Sequence, residues 1–448
     1  MSKWNLDNLY LSFNDENFLA DFKKLEKIHQ QINEYRNYHD EKSLEKYLID
    51  SIELNQLIEK LSCFISLTLS VDTTNESALK YSDQLDNLIA SFVEDDVATQ
   101  EWIASFDLNN ISSDLIKEHQ YILTEIQNKQ KHTLDKNSES IIAHMQNTGS
   151  SAFEKLKDQV VSSIKVTIDN KTYPLTEVLN MAYDKDKEVR KKAYLAEIES
   201  YHEKEQTIAA CLNGIKGEVL YTTKLHGYQD ELQRTLINSR MSKKTLDVLL
   251  ETMKENLDIF KDYLKTKAKH LGHENGLPWY DLYAPVIEDK SNYSYEKGCE
   301  FVVKQFYTFS KHLGDFASKA IQNNWIDVYP ANGKVGGAFC CNLHSIKESR
   351  FLLNYGNSFS DVITMAHELG HGFHGECLND ETILNSEYPM PIAETASTFC
   401  ETIVTKAALK DADDKIKLAL LEDELSGATQ VIVDIYSRYL FESNFFES

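Results

Sequence analysis

The chain has 448 residues, 26% of them charged, and a formal net charge of −24 at pH 7. Nucleic-acid binding needs a basic face, so this balance argues against a nucleic-acid partner and fits an acidic protein kept soluble by its surface charge. Seven cysteines, odd in number and without a framework spacing, exclude a disulfide scaffold and point to a reducing, cytoplasmic setting.

Read from the N-terminus, the chain has no glycine before Gly149 and no proline before Pro174. So long a stretch without breakers predicts long helices joined by polar turns. Residues Met1 to Asn5 carry no apolar signal region. The most apolar early run, Leu61 to Val71, is too short and too rich in Ser and Thr to span a bilayer, so no membrane partner is expected. Ile164 to Ile168, the turn pair Asp169-Asn170 and Lys171 to Tyr173 predict a small hairpin. Helices are expected from Leu175 and from Lys185, and a long one over Glu251 to His270. Glycine becomes frequent only from Gly333 to Gly375, where two short strands are expected, Gly337 to Leu343 and Arg350 to Tyr355. The last helix is expected over Leu420 to Phe445. The fold class is therefore mainly α, with two helical lobes: an N-terminal lobe over 1–190 and a second domain over 191–448. A small β-sheet lies beside the helix that carries the chemistry.

That helix holds His367-Glu368-Leu369-Gly370-His371. With Ser360 or Asp361 as N-cap, Val362 to Phe373 reads as a helix, and Val362, Ile363, Met365, Ala366, Leu369 and Phe373 supply an apolar surface to bury it. Two histidines four apart share one helix face and can hold one zinc ion. Glu368, next to the first of them, is placed to act as general base toward a water. The zincin-type reading is that of a zinc-dependent hydrolase of peptide bonds. The competing reading is a solvated histidine pair on an amphipathic helix.

Such a site needs a third protein ligand from another element, because one further helix turn displaces a side chain by about 5.4 Å along the axis. His374 is too far along to share the metal easily. Glu394 is the best candidate: Pro389 and Pro391 suit a loop entering a new helix, and Ala393, Ala396 and Ser397 are small enough for close packing. Glu376, Glu381 and Glu387 are rival carboxylates, and Glu394 alone could simply complement the positive end of its helix. Glu401, seven residues beyond Glu394 on the same face, is a candidate second-layer partner.

Several stretches together resemble oligoendopeptidase F, within the wider thimet oligopeptidase family of zinc metallopeptidases. They are Gly336-Gly337-Ala338-Phe339-Cys340, Phe351 to Tyr355, Asp361 to His374 and Ala393 to Phe399. Weaker echoes are Trp4 to Tyr10, Thr148 to Phe153 and Leu277 to Leu282. The resemblance implies zinc ligands His367, His371 and Glu394, with Glu368 as catalytic base. It implies short oligopeptide substrates cut internally, and a substrate-binding edge strand at Gly336, Gly337, Ala338 and Phe339. An aminopeptidase with the same zinc chemistry is the rival activity. Relatives of this kind continue beyond the second zinc-site helix into a segment bearing a His and Tyr side chains that hold the substrate carbonyl and oxyanion. No such motif follows Glu401 here, so the expectation is a chain lacking that C-terminal part: either an active endopeptidase or a weakly active or inactive peptide- or zinc-binding remnant.

Overall fold

The computed structural model describes residues 3–287 and 293–447. It is mostly helical, as the scarcity of breakers predicts. The chain divides into two compact units, each drawn from separate stretches: residues 3–136 with 293–410, and residues 137–287 with 411–447. This partition differs from a linear division at residue 190, because long-range packing leaves no mark in local composition.

The first unit begins with three long helices, α1 (Glu16–Tyr35), α2 (Glu41–Val71) and α3 (Glu76–Ala104). Asp15, Asp40 and Asn75 cap them, each accepting a backbone N–H of the first turn. Phe18, Leu25, Ile28 and Ile32 of α1 bury against Leu57, Leu61, Phe64 and Ile65 of α2 and Leu85 of α3.

Later in the same unit come α4 (Tyr295–Phe309), α5 (Lys311–Gln322) and a three-stranded sheet. Its strands are β1 (Ile326–Asp327), β2 (Phe339–Leu343) and β3 (Glu348–Leu352), in the order β1-β3-β2. β1 runs parallel to β3 and β2 antiparallel to it, so β2 is an edge strand. β2 and β3 fall within two or three residues of the two expected strands, and β1 has no counterpart among them.

Strand alternation gives β2 two working faces. Phe339, Cys341 and Leu343 turn into the core of the N-terminal helices. Asn342 turns the other way and donates to the His371 carbonyl at 3.2 Å. The turn after β2 is pinned to α2 by Glu59, whose carboxylate accepts His344 N–H at 3.0 Å and Ser345 N–H at 2.8 Å. The N-terminal segment closes the other side: buried Arg350 donates from Nε to the Asn5 carbonyl at 2.7 Å, and the Trp4 ring packs on Phe339. The early stretch Trp4 to Tyr10 is thus part of the frame of the sheet.

The second unit contains the expected hairpin, Lys165–Ile168 paired with Lys171–Pro174. Asp169 and Asn170 take φ values of 50° and 65°, the left-handed pair that a two-residue hairpin turn requires. The single helix expected over Glu251 to His270 is instead two, Lys243–Glu255 and Leu257–His270. Asn256 breaks it with φ −100° and ψ 6°, its side-chain amide bonded to the Thr252 carbonyl. The last helical stretch starts earlier than expected, at Asp414, and passes through a π-helical segment, Gln430–Asp434, before Ile435–Glu447. Asp281, fully buried, joins Arg190 (Nε 2.9 Å, Nη2 2.8 Å) to His273 (Nε2 2.6 Å). Among the described residues, no helix is long and apolar enough to cross a membrane.

Candidate metal centre

The helix carrying the histidine pair, α6, spans Phe359–Cys377. It starts earlier than the sequence suggests. Ser358, not Ser360 or Asp361, is the N-cap: its Oγ accepts Asp361 N–H at 3.1 Å while the Asp361 carboxylate accepts Ser358 N–H at 2.8 Å. Val362, Met365, Ala366 and Leu369 are buried, which fixes the rotation of α6 and hence the direction of His367 and His371.

A second helix, α7 (Thr395–Asp411), follows a short turn, Met390–Ala393. Glu394 stands at the break between them, with φ −86° and ψ 2°. The helices α6 and α7 approach closely at Gly370. A Cβ there would lie 2.7 Å from Ser397 Cα and 2.8 Å from the Ala396 carbonyl, so only glycine permits this crossing. The small Ala396 and fully buried Ser397 complete the fit from the α7 side.

The crossing brings three donor atoms into a near-equilateral triangle. His367 Nε2 and His371 Nε2 are 3.1 Å apart, and Glu394 Oε2 lies 3.2 Å from each. Neighbouring ligands of a tetrahedral zinc with bonds of about 2.0–2.1 Å are roughly 3.3 Å apart. Two imidazoles and one carboxylate therefore fit a metal in both spacing and donor chemistry, and three is the number of protein ligands that a catalytic zinc keeps. Glu394 is about half exposed (55%), so the triangle is open to solvent on its side.

The surroundings orient these donors. Glu401 lies against His367 Nδ1 on the side away from the triangle, which places the ring proton there and leaves the Nε2 lone pair facing Glu394. This contact holds the His367 pKa up against the opposing effect of burial, with the charges of Glu368, Glu401 and Glu394 adding to it. His371 is pushed down by burial, with Glu394 opposing. Ser397 Oγ donates to Glu394 Oε2 at 2.7 Å. Glu368 is buried, and burial raises its pKa to about 7; His367 counters that rise, and Glu394 and Glu401 add to it.

The other sequence candidates lie as follows. His374 is outside the triangle; its ring stacks on Tyr388 with centroids 4.1 Å apart. Glu376 and Glu387 line a polar cavity of about 320 Å³ with Glu59, Asn342 and His344, and Glu381 offers its carbonyl to His344. Gly336 and Gly337 are exposed just before β2, with Gly337 at φ 79° and open space where side chains would stand. Ala338 is half-buried, and the Phe339 side chain is taken up by the N-terminal core, so only its backbone faces the sheet edge. Two neighbours escaped sequence reasoning. Ser397 registered as a small packing residue rather than a hydrogen-bond donor. Tyr388, just before Pro389, is half-buried; burial raises its hydroxyl pKa, with the charges of Cys340 and Glu394 adding.

The sequence pattern of peptidase family M3 matches residues 180–432, and that of oligopeptidase F matches residues 108–165. An oligoendopeptidase F homolog of Borreliella burgdorferi is 27% identical over 95% of this chain and 74% of its own length. One from Lactococcus lactis is 25% identical over 95% of this chain and 72% of its own. Among solved structures, a Chlamydophila abortus protein superposes with a TM-score of 0.81 at 22% identity, covering all of this chain and 77% of that one. Oligoendopeptidase-F from Enterococcus faecium gives 0.64 at 16% identity, over 96% of this chain and 75% of that one. At these identities the structural likeness establishes the fold.

Proposed function

This chain belongs to peptidase family M3, and we propose that it is a zinc-dependent endopeptidase that cuts internal bonds of short oligopeptides in the cytoplasm. The observation that carries the reading is the triangle of His367 Nε2, His371 Nε2 and Glu394 Oε2, with sides of 3.1–3.2 Å. These three residues would hold the ion. When bound, zinc supplies Lewis-acid activation of water and of a carbonyl oxygen.

The rest is done by the chain itself. Glu368, one residue from the first ligand and buried beside it, accepts a proton from the attacking water and returns it to the leaving amine. Glu401 keeps His367 in the tautomer that presents Nε2. Ser397 steadies Glu394. The outer edge of β2 has no strand partner among the described residues and offers backbone groups to an extended peptide, with Gly336, Gly337 and Ala338 leading into it. The oligopeptide class is supported by the names of the relatives, oligoendopeptidase F among them.

The test is cleavage of an N-blocked, internally quenched peptide of about eight residues, with the metal content of the same sample measured. Cleavage that a chelator stops and added zinc restores supports the reading. A folded, zinc-loaded chain that leaves the peptide intact rules out the endopeptidase. Cleavage unaffected by metal removal rules out the metal.

A further inference from the structure

Cys63 on α2 and Cys341 on β2 are both free and half-buried, and their sulfurs are 3.5 Å apart. They are 278 positions apart in sequence, so the fold alone has put them in contact. The frame around them is fixed independently of the thiols. Glu59, one helix turn before Cys63, holds the backbone of His344 and Ser345 just after Cys341. A disulfide has sulfurs at about 2.05 Å. The contact therefore has roughly 1.5 Å to close, a distance within reach of side-chain rotation.

We propose that Cys63 and Cys341 are a modification site, a dithiol that a peroxide converts to a disulfide linking α2 to β2. In the first step one thiolate sulfur attacks the peroxide O–O bond, forming a sulfenic acid and releasing water or an alcohol. In the second the other thiolate attacks that sulfur, the S–O bond breaks, water leaves and the S–S bond forms. Two thiol protons and two electrons leave the protein, and with hydrogen peroxide the products are two waters. Contact with Cys341 and burial both push the Cys63 thiol pKa up, so Cys63 rests as a thiol at neutral pH.

The site bears on the metal centre through the strand. Cys341 faces α2, while its neighbour Asn342 faces α6 and binds the His371 carbonyl. Oxidation fastens one face of a strand whose other face touches the ligand helix.

The full chain is treated with hydrogen peroxide, its remaining thiols are alkylated under denaturing conditions, and non-reduced peptides are mapped by mass. The expected product is a cross-linked pair containing Cys63 and Cys341, two hydrogens lighter than the sum of its parts. It disappears on reduction and is absent from the Cys63→Ser and Cys341→Ser variants. The cross-linked chain, closed by a loop of 278 positions, migrates faster on a non-reducing denaturing gel. Alkylation of both cysteines after treatment, their separate oxidation to sulfinic acids, or linkage of either to another cysteine in folded protein overturns the proposal.

Discussion

Ser397 Oγ donates to Glu394 Oε2, the same oxygen that lies 3.2 Å from both imidazole Nε2 atoms. One hydroxyl on α7 thus orients the carboxylate of a residue standing at a break between helices. Ser397→Ala keeps the packing volume at Gly370 and removes this bond together with the 3.0 Å bond from the same hydroxyl to the Glu394 carbonyl. Zinc affinity should fall about tenfold, read by competition with a chromogenic chelator, while Glu394→Ala should lose far more. Equal affinities of Ser397→Ala and the parent would remove Ser397 from the site.

Glu368→Gln keeps shape and burial but cannot accept a proton. The variant should bind zinc as the parent does and lose at least about two powers of ten in turnover. Hydrolysis at the parent rate would show that another group takes the proton.

Gly370→Ala puts a methyl group 2.7 Å from Ser397 Cα. The helices must separate, which should cost about 1–3 kcal/mol of stability and displace Glu394 from the histidines. Denaturant unfolding with metal analysis reads both effects. A variant with parental stability and zinc content would mean that the crossing tolerates a side chain.

His29 is 6% exposed and stacks on Phe92 with centroids 3.8 Å apart. Burial holds its pKa below the usual 6.5, with Asp95 opposing and Arg36 adding. The folded state prefers the neutral ring, so its contribution is complete above pH 6.5 and is lost as pH falls through the lower folded-state value. The Tm advantage of the parent over His29→Gln should therefore be larger at pH 7.5 than at pH 5. A difference independent of pH would mean that His29 does not titrate in this range.

The Arg190–Asp281 pair is buried at 4% and 0% side-chain exposure. Asp281→Asn leaves a buried guanidinium without its counter-charge and should destabilise the chain by about 3–5 kcal/mol. Adding Arg190→Met should recover much of that loss, as urea unfolding of the two variants would show. A double variant no more stable than the single one would contradict this account.

The histidine pair on one helix face, Glu394 as the candidate third donor and the small residues that let α7 approach were legible because each depends on local spacing: four along a helix, small side chains one turn apart, prolines before a helix start. The hairpin at Asp169-Asn170 was legible for the same reason. Boundaries were less so. The cap at Ser358 was missed because Ser360 and Asp361 look equally suitable until the side chain of Asp361 is seen reaching backward. The break at Asn256 has only a weak signal in an otherwise helical stretch. What stayed hidden was contact between distant positions. Arg350 with Asn5, Cys341 with Cys63 and Glu59 with the turn after β2 are set by tertiary packing, which no window along the chain contains.

The interleaving of the two units has a consequence for how the polypeptide is made. Synthesis runs at about 5–20 residues per second, so α1 to α3 leave the ribosome many seconds before β2 exists. Their apolar seat for Phe339, Cys341 and Leu343 must wait while the first stretch of the second unit, residues 137–287, is translated. The nascent chain thus carries this apolar surface before α6 has been made, and closing the seat is a late, long-range step.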